Sequence, residues 1–132
     1  MERVAFDFDD TLSRTDVQRF ADKLVKSDFE VWIVTSRLSD KAVMRRQQVD
    51  STDWNRDLFA VADSLNISHH HIVFCSFQPK YEFFWDNKDF LFHLDDDIDE
   101  VNGINGMSDV DAVHFVPTIR MEAIDKCKEL IK

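Results

Sequence analysis

Asp7 and Asp9 stand two residues apart at the end of the first apolar run, Val4 to Phe8, with Asp10 and Thr11 directly behind them. On an extended strand, residues two apart point to the same side. Two carboxylates crowded at the end of a buried strand are costly unless something positive sits with them. A divalent metal ion meets that demand, so the pattern points to a metal-assisted site within the first dozen residues. Three further groups follow. Thr35-Ser36-Arg37 ends a second apolar run, Lys80 opens a short helix ahead of the fourth run, and Asp95-Asp96-Asp97 ends that fourth run. Acid after a strand is ordinary turn chemistry. Four such features in series, each following a strand or opening the next helix, are far more specific than any one alone.

The elements that must position these residues alternate along the chain. Val4–Phe8, Val31–Val34, Ile72–Cys75, Phe90–Leu94 and Ala112–Val116 read as strands. They are short apolar runs rather than clean alternations, which fits strands buried on both faces. Helical spacing of Val17, Phe20, Ala21, Leu24 and Val25 predicts a helix over 15–27. Further helices are expected from Ser39, over Leu58–Leu65 after an entry at Ser51-Thr52-Asp53, over Tyr81–Trp85 behind Pro79, and behind Pro117. This order predicts an α/β fold with a mostly parallel sheet covered by helices on both sides. In such sheets ligands bind beyond the carboxyl ends of the strands, where strand order reverses.

At 132 residues the chain is expected to form a single domain over 1–132. Its formal net charge of −10, from 26 acidic and 16 basic residues, disfavours broad contact with nucleic acid or anionic lipid. Nucleic acid then enters only as a substrate end. Cys75 and Cys127 lie far apart and do not form a disulfide framework, so a reducing compartment is expected. No signal peptide and no apolar stretch of membrane-spanning length are present in the sequence, which leads to an expectation of a cytoplasmic protein with no membrane partner. The two glycines, Gly103 and Gly106, come too late for a P-loop or a dinucleotide fingerprint in the first hundred residues.

Taken together, the motifs resemble those of the haloacid dehalogenase-like (HAD) phosphatase superfamily. Phe6-Asp-Phe-Asp-Asp-Thr-Leu12 is similar to its DxDxT motif, and Ile33-Val-Thr35-Ser36 to its strand-end hydroxyl motif. Lys80 matches its lysine, and Phe92-His-Leu-Asp95-Asp96 its acidic pair. The resemblance runs from the first strand to the fifth. It implies a Rossmann-like three-layer αβα sandwich with a five-stranded sheet ordered 3-2-1-4-5. Strands 1 and 4 then lie side by side and bring Asp7, Asp9, Asp95 and Asp96 to the switch point.

The residue types suit the activity that the resemblance implies, a Mg²⁺-dependent phosphomonoester hydrolase working through an aspartyl-phosphate. A carboxylate nucleophile splits one hard step into two. Attack of an anion on an anion needs charge neutralisation, which Mg²⁺ and a lysine supply. In this reading Asp7 is the nucleophile and Asp9 the general acid and base. Asp7, the backbone carbonyl of Asp9 and Asp96 hold the metal, with Asp95 acting through a metal-bound water or exchanging roles with Asp96; Asp99 is a further acidic candidate. Thr35 and Lys80 hold the phosphoryl group, and Thr11, Ser36 and Arg37 line the substrate side. Arg37 is a candidate grip for a second phosphate.

The connections after strands 1 and 3 are too short for a cap domain. The resulting open site suits a large or exposed phosphorylated substrate, such as a nucleotide, a polynucleotide end or a phosphoprotein. The 36–71 connection is long enough to fold Asp50–Asn55 over the site, which brings Trp54 into question. His69-His70-His71 is expected at the amino end of the sheet, away from the site. Phe77 and Tyr81 are the aromatic residues expected nearest to it. The competing readings are a receiver-like module or a catalytically silent domain that binds phosphate or metal; phosphate release separates both from an enzyme.

Overall fold

A computed structural model describes residues 1–132. Five parallel strands form one sheet in the order 3-2-1-4-5: β1 (Arg3–Phe6), β2 (Glu30–Thr35), β3 (Ile72–Phe74), β4 (Phe90–Asp95) and β5 (Ala112–His114). Helices α1 (Thr15–Lys26), α3 (Arg56–Ser64) and α6 (Arg120–Leu130) share one hydrophobic core with the sheet, while α4 (Tyr81–Asp86) and α5 (Ile98–Met107) belong to a second. The result is an α/β three-layer sandwich. The short α2 (Asp40–Gln47) follows β2, capped by Ser39, whose hydroxyl accepts the Ala42 amide at 3.2 Å.

Strand alternation assigns residues to the two cores. Val4 and Phe6 face the larger core with α1, and Ala5 faces the smaller one. Phe6, Phe20 and Phe92 pack as an aromatic cluster with ring centroids 5.5–6.2 Å apart, geometry that adds to their burial. The smaller core is built from Phe84, Phe90, Ile104 and Val110. The connection from Leu12 to Glu30 holds α1, and that from Phe74 to Phe90 holds α4. No helix is long and apolar enough to cross a membrane.

Two details of register place the site. A bulge in β4 sets Ala5 opposite His93 after Arg3 has paired with Phe90. Phe6 therefore faces Leu94, and the Asp7 amide donates to the Leu94 carbonyl at 2.9 Å. Asp7 and Asp95 thus leave neighbouring strands at the same level. β1 ends at Phe6, two residues before its expected end. Beyond it the chain makes a wide turn, with Leu12 N–H on the Asp7 carbonyl at 3.0 Å and Ser13 N–H on the Phe8 carbonyl at 2.9 Å. Asp10 takes a left-handed conformation with φ of 59°, which aspartate tolerates better than most residues.

The helix α5 is not anticipated by the sequence pattern. Its segment holds both glycines and two asparagines, all poor helix formers. Tertiary contacts account for it. Asp97 caps its start by accepting the Asp99 amide at 2.9 Å, and Val101 and Ile104 are buried. Asn105 exchanges two hydrogen bonds with the main chain of Ala112 at the start of β5, at 2.8 and 3.0 Å. A Cβ on Gly103 would meet the Tyr81 ring at 3.3 Å, so glycine lets α5 lie close to α4. Gly106 meets nothing within 4 Å. Gly106→Ala is therefore expected to stabilise the protein by about 0.5–1 kcal/mol, measured as a shifted urea midpoint at unchanged m-value.

Candidate active site

The carboxyl ends of β1 and β4 carry a charge cluster built around Lys80. Its ammonium donates to Asp7 Oδ1 at 2.7 Å and to Asp95 Oδ2 at 2.6 Å. All three residues are buried. Lys80 stands just before α4, and its main-chain N–H donates to Glu100 Oε2 on α5 at 2.9 Å. The lysine is thus fixed at both ends. The Thr11 hydroxyl lies 3.3 Å from Asp7 Oδ2 and 3.3 Å from Asp96 Oδ1. Carboxylate oxygens of Asp7, Asp95 and Asp96 come within 4.8 Å of one another.

His93 lies beneath this cluster, fully buried. Its Nε2–H donates to Asp95 Oδ2 at 2.8 Å, and the Asp97 amide donates to Asp95 Oδ1 at 3.0 Å. Burial lowers the His93 value from 6.5 and keeps the ring neutral despite the adjacent carboxylate. Its Nδ1 is buried without a hydrogen-bond partner, and its ring packs 5.0 Å from that of Phe84. Asp95 is therefore held by three donors and stays below the usual carboxylate range, since the bonds from His93 and Lys80 outweigh its burial. Burial also opposes the Lys80 charge, but Asp7 and Asp95 overcome it and hold the ammonium protonated. Asp7 differs: burial, with the Asp95 charge added, pushes it well above the usual carboxylate value despite Lys80.

Asp9 does not join this group. Its carboxylate forms a two-pronged pair with Arg37, Nε to Oδ2 at 2.9 Å and Nη2 to Oδ1 at 2.7 Å. The expectation that the Asp7 and Asp9 carboxylates share one side is not met: β1 ends at Phe6, so strand alternation no longer sets their directions, and Arg37 takes the Asp9 carboxylate. Any metal-binding part for Asp9 falls to its main chain. Arg37 also grips Asp57 of α3 through Nη1 at 2.8 Å and Nη2 at 3.0 Å. Its guanidinium lies 5.0 Å over the Phe8 ring. The hydrogen bonds to Asp57 and Asp9 raise the Arg37 value and hold Asp57 below its ordinary one.

Thr35 ends β2 fully buried, its hydroxyl oxygen accepting the Arg37 amide at 3.2 Å. The Ser36 carbonyl accepts the Phe77 amide at 2.8 Å. Ser76 and Phe77 are both left-handed, and Phe77 is largely exposed. The 50–55 segment reaches the site's edge, with the Trp54 carbonyl and Asn55 Oδ1 each 3.4 Å from Arg37 Nη1. Asp99 lies in the exposed first turn of α5. The three histidines precede β3 at the opposite end, where His71 stacks on Trp32 at 4.7 Å. Burial pushes the Cys75 thiol up to about 11, so it is no nucleophile near neutral pH.

Three residues at the site, His93, Glu100 and Asp57, escape the sequence reading, while Asn55 belongs to the 50–55 segment expected over it. His93 has the clearest signal, since it precedes Asp95 by two and so shares its strand face. Glu100 and Asp57 reach the site only through the packing of α5 and of the start of α3. The donor set suits a hard divalent cation, because it is all oxygen and over-charged. When all three are ionised, Asp7, Asp95 and Asp96 carry three negative charges against one positive charge on Lys80, with His93 neutral and Arg37 engaged elsewhere. Two buried or half-buried negative charges are left for a cation to offset.

No known family model and no curated protein matches the chain. Among solved structures, a hypothetical protein of Xanthomonas campestris is similar at 13% identity, across 99% of this chain and 81% of its own, with a TM-score of 0.38. A likeness at that level carries no functional argument.

Two measurements probe the cluster. Lys80→Met strands two buried carboxylates and is expected to cost about 3–5 kcal/mol in urea denaturation with EDTA present. Asp7→Asn is expected to stabilise the metal-free protein near neutral pH. The folded-state value of Asp7 is raised above its unfolded one, so its ionisation opposes folding. Wild type and variant should match in acid, below the ordinary carboxylate value, and diverge in favour of the variant as pH rises through the folded-state value of Asp7.

Proposed function

We propose that the protein is a phosphomonoester hydrolase that uses a divalent cation, with Mg²⁺ as the natural candidate, and forms an aspartyl-phosphate on Asp7. The observation that carries this reading is the Asp7–Lys80–Asp95 arrangement with Asp96 alongside, set at the carboxyl ends of the two central strands. A nucleophilic carboxylate next to a fixed ammonium and surplus acid suits attack on a phosphate dianion.

In this mechanism Asp7, Asp96 and the main chain of Asp9 would hold the cation, which would supply neutralising charge at the phosphoryl oxygens. An Asp7 oxygen attacks phosphorus as the bond to the leaving oxygen breaks. Asp9, freed from Arg37 and protonated from solvent, gives that proton to the leaving oxygen and then takes one from the water that cleaves the acyl phosphate. Lys80 offsets charge on the transferring group, and the Thr35 hydroxyl orients one of its oxygens. Asp95, tied by His93 and Lys80, keeps the ammonium aimed at Asp7.

The Asp9–Arg37 pair favours one competing reading. If Asp9 stays with Arg37 throughout, Asp7 accepts a phosphoryl group but water is poorly activated, and the domain behaves as a slow, receiver-like phosphate acceptor. Purified protein with Mg²⁺ should release phosphate from an aryl phosphate over many turnovers. Asp7→Asn should lower that rate by at least about a thousandfold. A single stoichiometric phosphorylation without turnover points to the acceptor reading. No phosphorylation at all, with Mg²⁺ still raising the melting temperature as a ligand of the folded state does, leaves a silent binding module.

A further inference from the structure

The surface next to this site carries a concavity that the phosphoryl chemistry does not use. It measures about 470 Å³ and is lined by Ser13, Arg14, Thr15, Asp16, Arg19 and Arg120, with no apolar residue. Three arginines against one aspartate give it a local charge of +2, in a chain whose net charge is −10. We propose that this cup binds a second phosphate group of the substrate, one that neighbours the phosphate to be removed. The proposal rests on the reading of the acidic cluster as a phosphoryl-transfer site.

Internal contacts aim the arginines. Asp16 Oδ2 lies 2.7 Å from Arg120 Nε, and its Oδ1 lies 3.6 Å from Arg14 Nε. A single carboxylate therefore forms ion pairs with two guanidiniums, whose terminal N–H groups make no side-chain hydrogen bond. Arg14 Nε is itself buried and without a hydrogen-bond partner. Arg19 is exposed. Paired N–H forks of this kind match the oxygens of a phosphate.

The cup adjoins the acidic cluster on two sides. The Arg14 amide donates to the Thr11 carbonyl at 3.1 Å, and Thr11 touches Asp7 and Asp96 through its hydroxyl. The Arg14 guanidinium lies 5.7 Å over the Phe115 ring, and the Phe115 amide donates to the Asp95 carbonyl at 2.7 Å. The opposite rim offers no such site. Arg37 is held by Asp9 and Asp57, so that trio carries −1 and resists a further anion. A substrate with two phosphates must therefore extend toward α1 and α6 rather than toward β3.

Second phosphates of this kind occur in free nucleoside bisphosphates and at the phosphorylated ends of polynucleotides. The test uses the full chain with Mg²⁺ and titration calorimetry at several salt concentrations. The ligands are a nucleoside 3′,5′-bisphosphate, a nucleoside 5′-monophosphate, a 5′-phosphorylated trinucleotide and a phosphoserine peptide with flanking aspartates. Wild type is expected to bind the bisphosphate or the trinucleotide about tenfold tighter than the monophosphate, and whichever is the tighter marks the source. Arg19→Gln and Arg120→Gln should each cut that preference by about threefold or more and reduce the salt slope by about one. Arg19→Glu, at an exposed position that leaves folding intact, should abolish the preference.

Equal binding of the monophosphate, the bisphosphate and the trinucleotide by wild type overturns the proposal, as does a preference that survives Arg19→Glu. An acidic phosphopeptide that matches the bisphosphate overturns the assignment to phosphate. Turnover on the same ligands separates the two readings. Phosphate release without a preference for the bisphosphate or the trinucleotide sinks the cup alone, and either preference without release sinks the hydrolase alone.

Discussion

The Lys80 ammonium sits 2.7 Å from Asp7 and 2.6 Å from Asp95, all three out of water. A buried charge is tolerated only when it is paired and its remaining donors or acceptors are satisfied. Here one positive charge faces two negative ones, with Asp96 close by. Asp95 takes the larger share of the support, from Lys80, His93 and the Asp97 amide. Asp7 receives less and bears the cost as a raised affinity for protons. That asymmetry separates the two acids: one is a fixed anchor, the other a carboxyl whose charge is only partly offset. Fully offset acids would make a more stable protein with less chemistry available to it.

The fold supplies this arrangement through adjacency. β1 and β4 lie side by side at the centre of the sheet, and the bulge in β4 aligns Asp7 with Asp95. The lysine arrives from a third element, fixed by Glu100 across the α4–α5 contact. The Asn105 bonds to Ala112 and the close approach at Gly103 explain why a segment of weak helix formers is helical there. The helix α5 is thus part of the site's support, although it contributes no residue to the acidic cluster.

Around the cluster, charge is distributed unevenly. On the β3 side, Arg37 is saturated by two carboxylates and stacked on Phe8. On the α1 and α6 side, three arginines share one aspartate. The contrast gives the rim a direction: an anion meets surplus acid on one side and surplus base on the other. The connections after β1 and β3 add only the helices α1 and α4 beside the cluster.

The sequence by itself determined the βαβ order, the parallel sheet and the residues at the strand ends, because apolar runs, helical spacing and acid after strands are local signals. Asp7, Lys80, Asp95 and Asp96 could be nominated from type and position alone. Local signals could not decide which of them meet. The divergence of Asp9 from Asp7 follows from where β1 stops and from the hold of Arg37 on the Asp9 carboxylate. The helix over 98–107 depends on partners in α4 and β5 that override its composition. Asp57 and Glu100 come from elements whose packing, not whose sequence, brings them to the sheet's end. Tertiary structure decided each carboxylate's partner, because charge pairing depends on distances of a few ångströms that no spacing along the chain specifies.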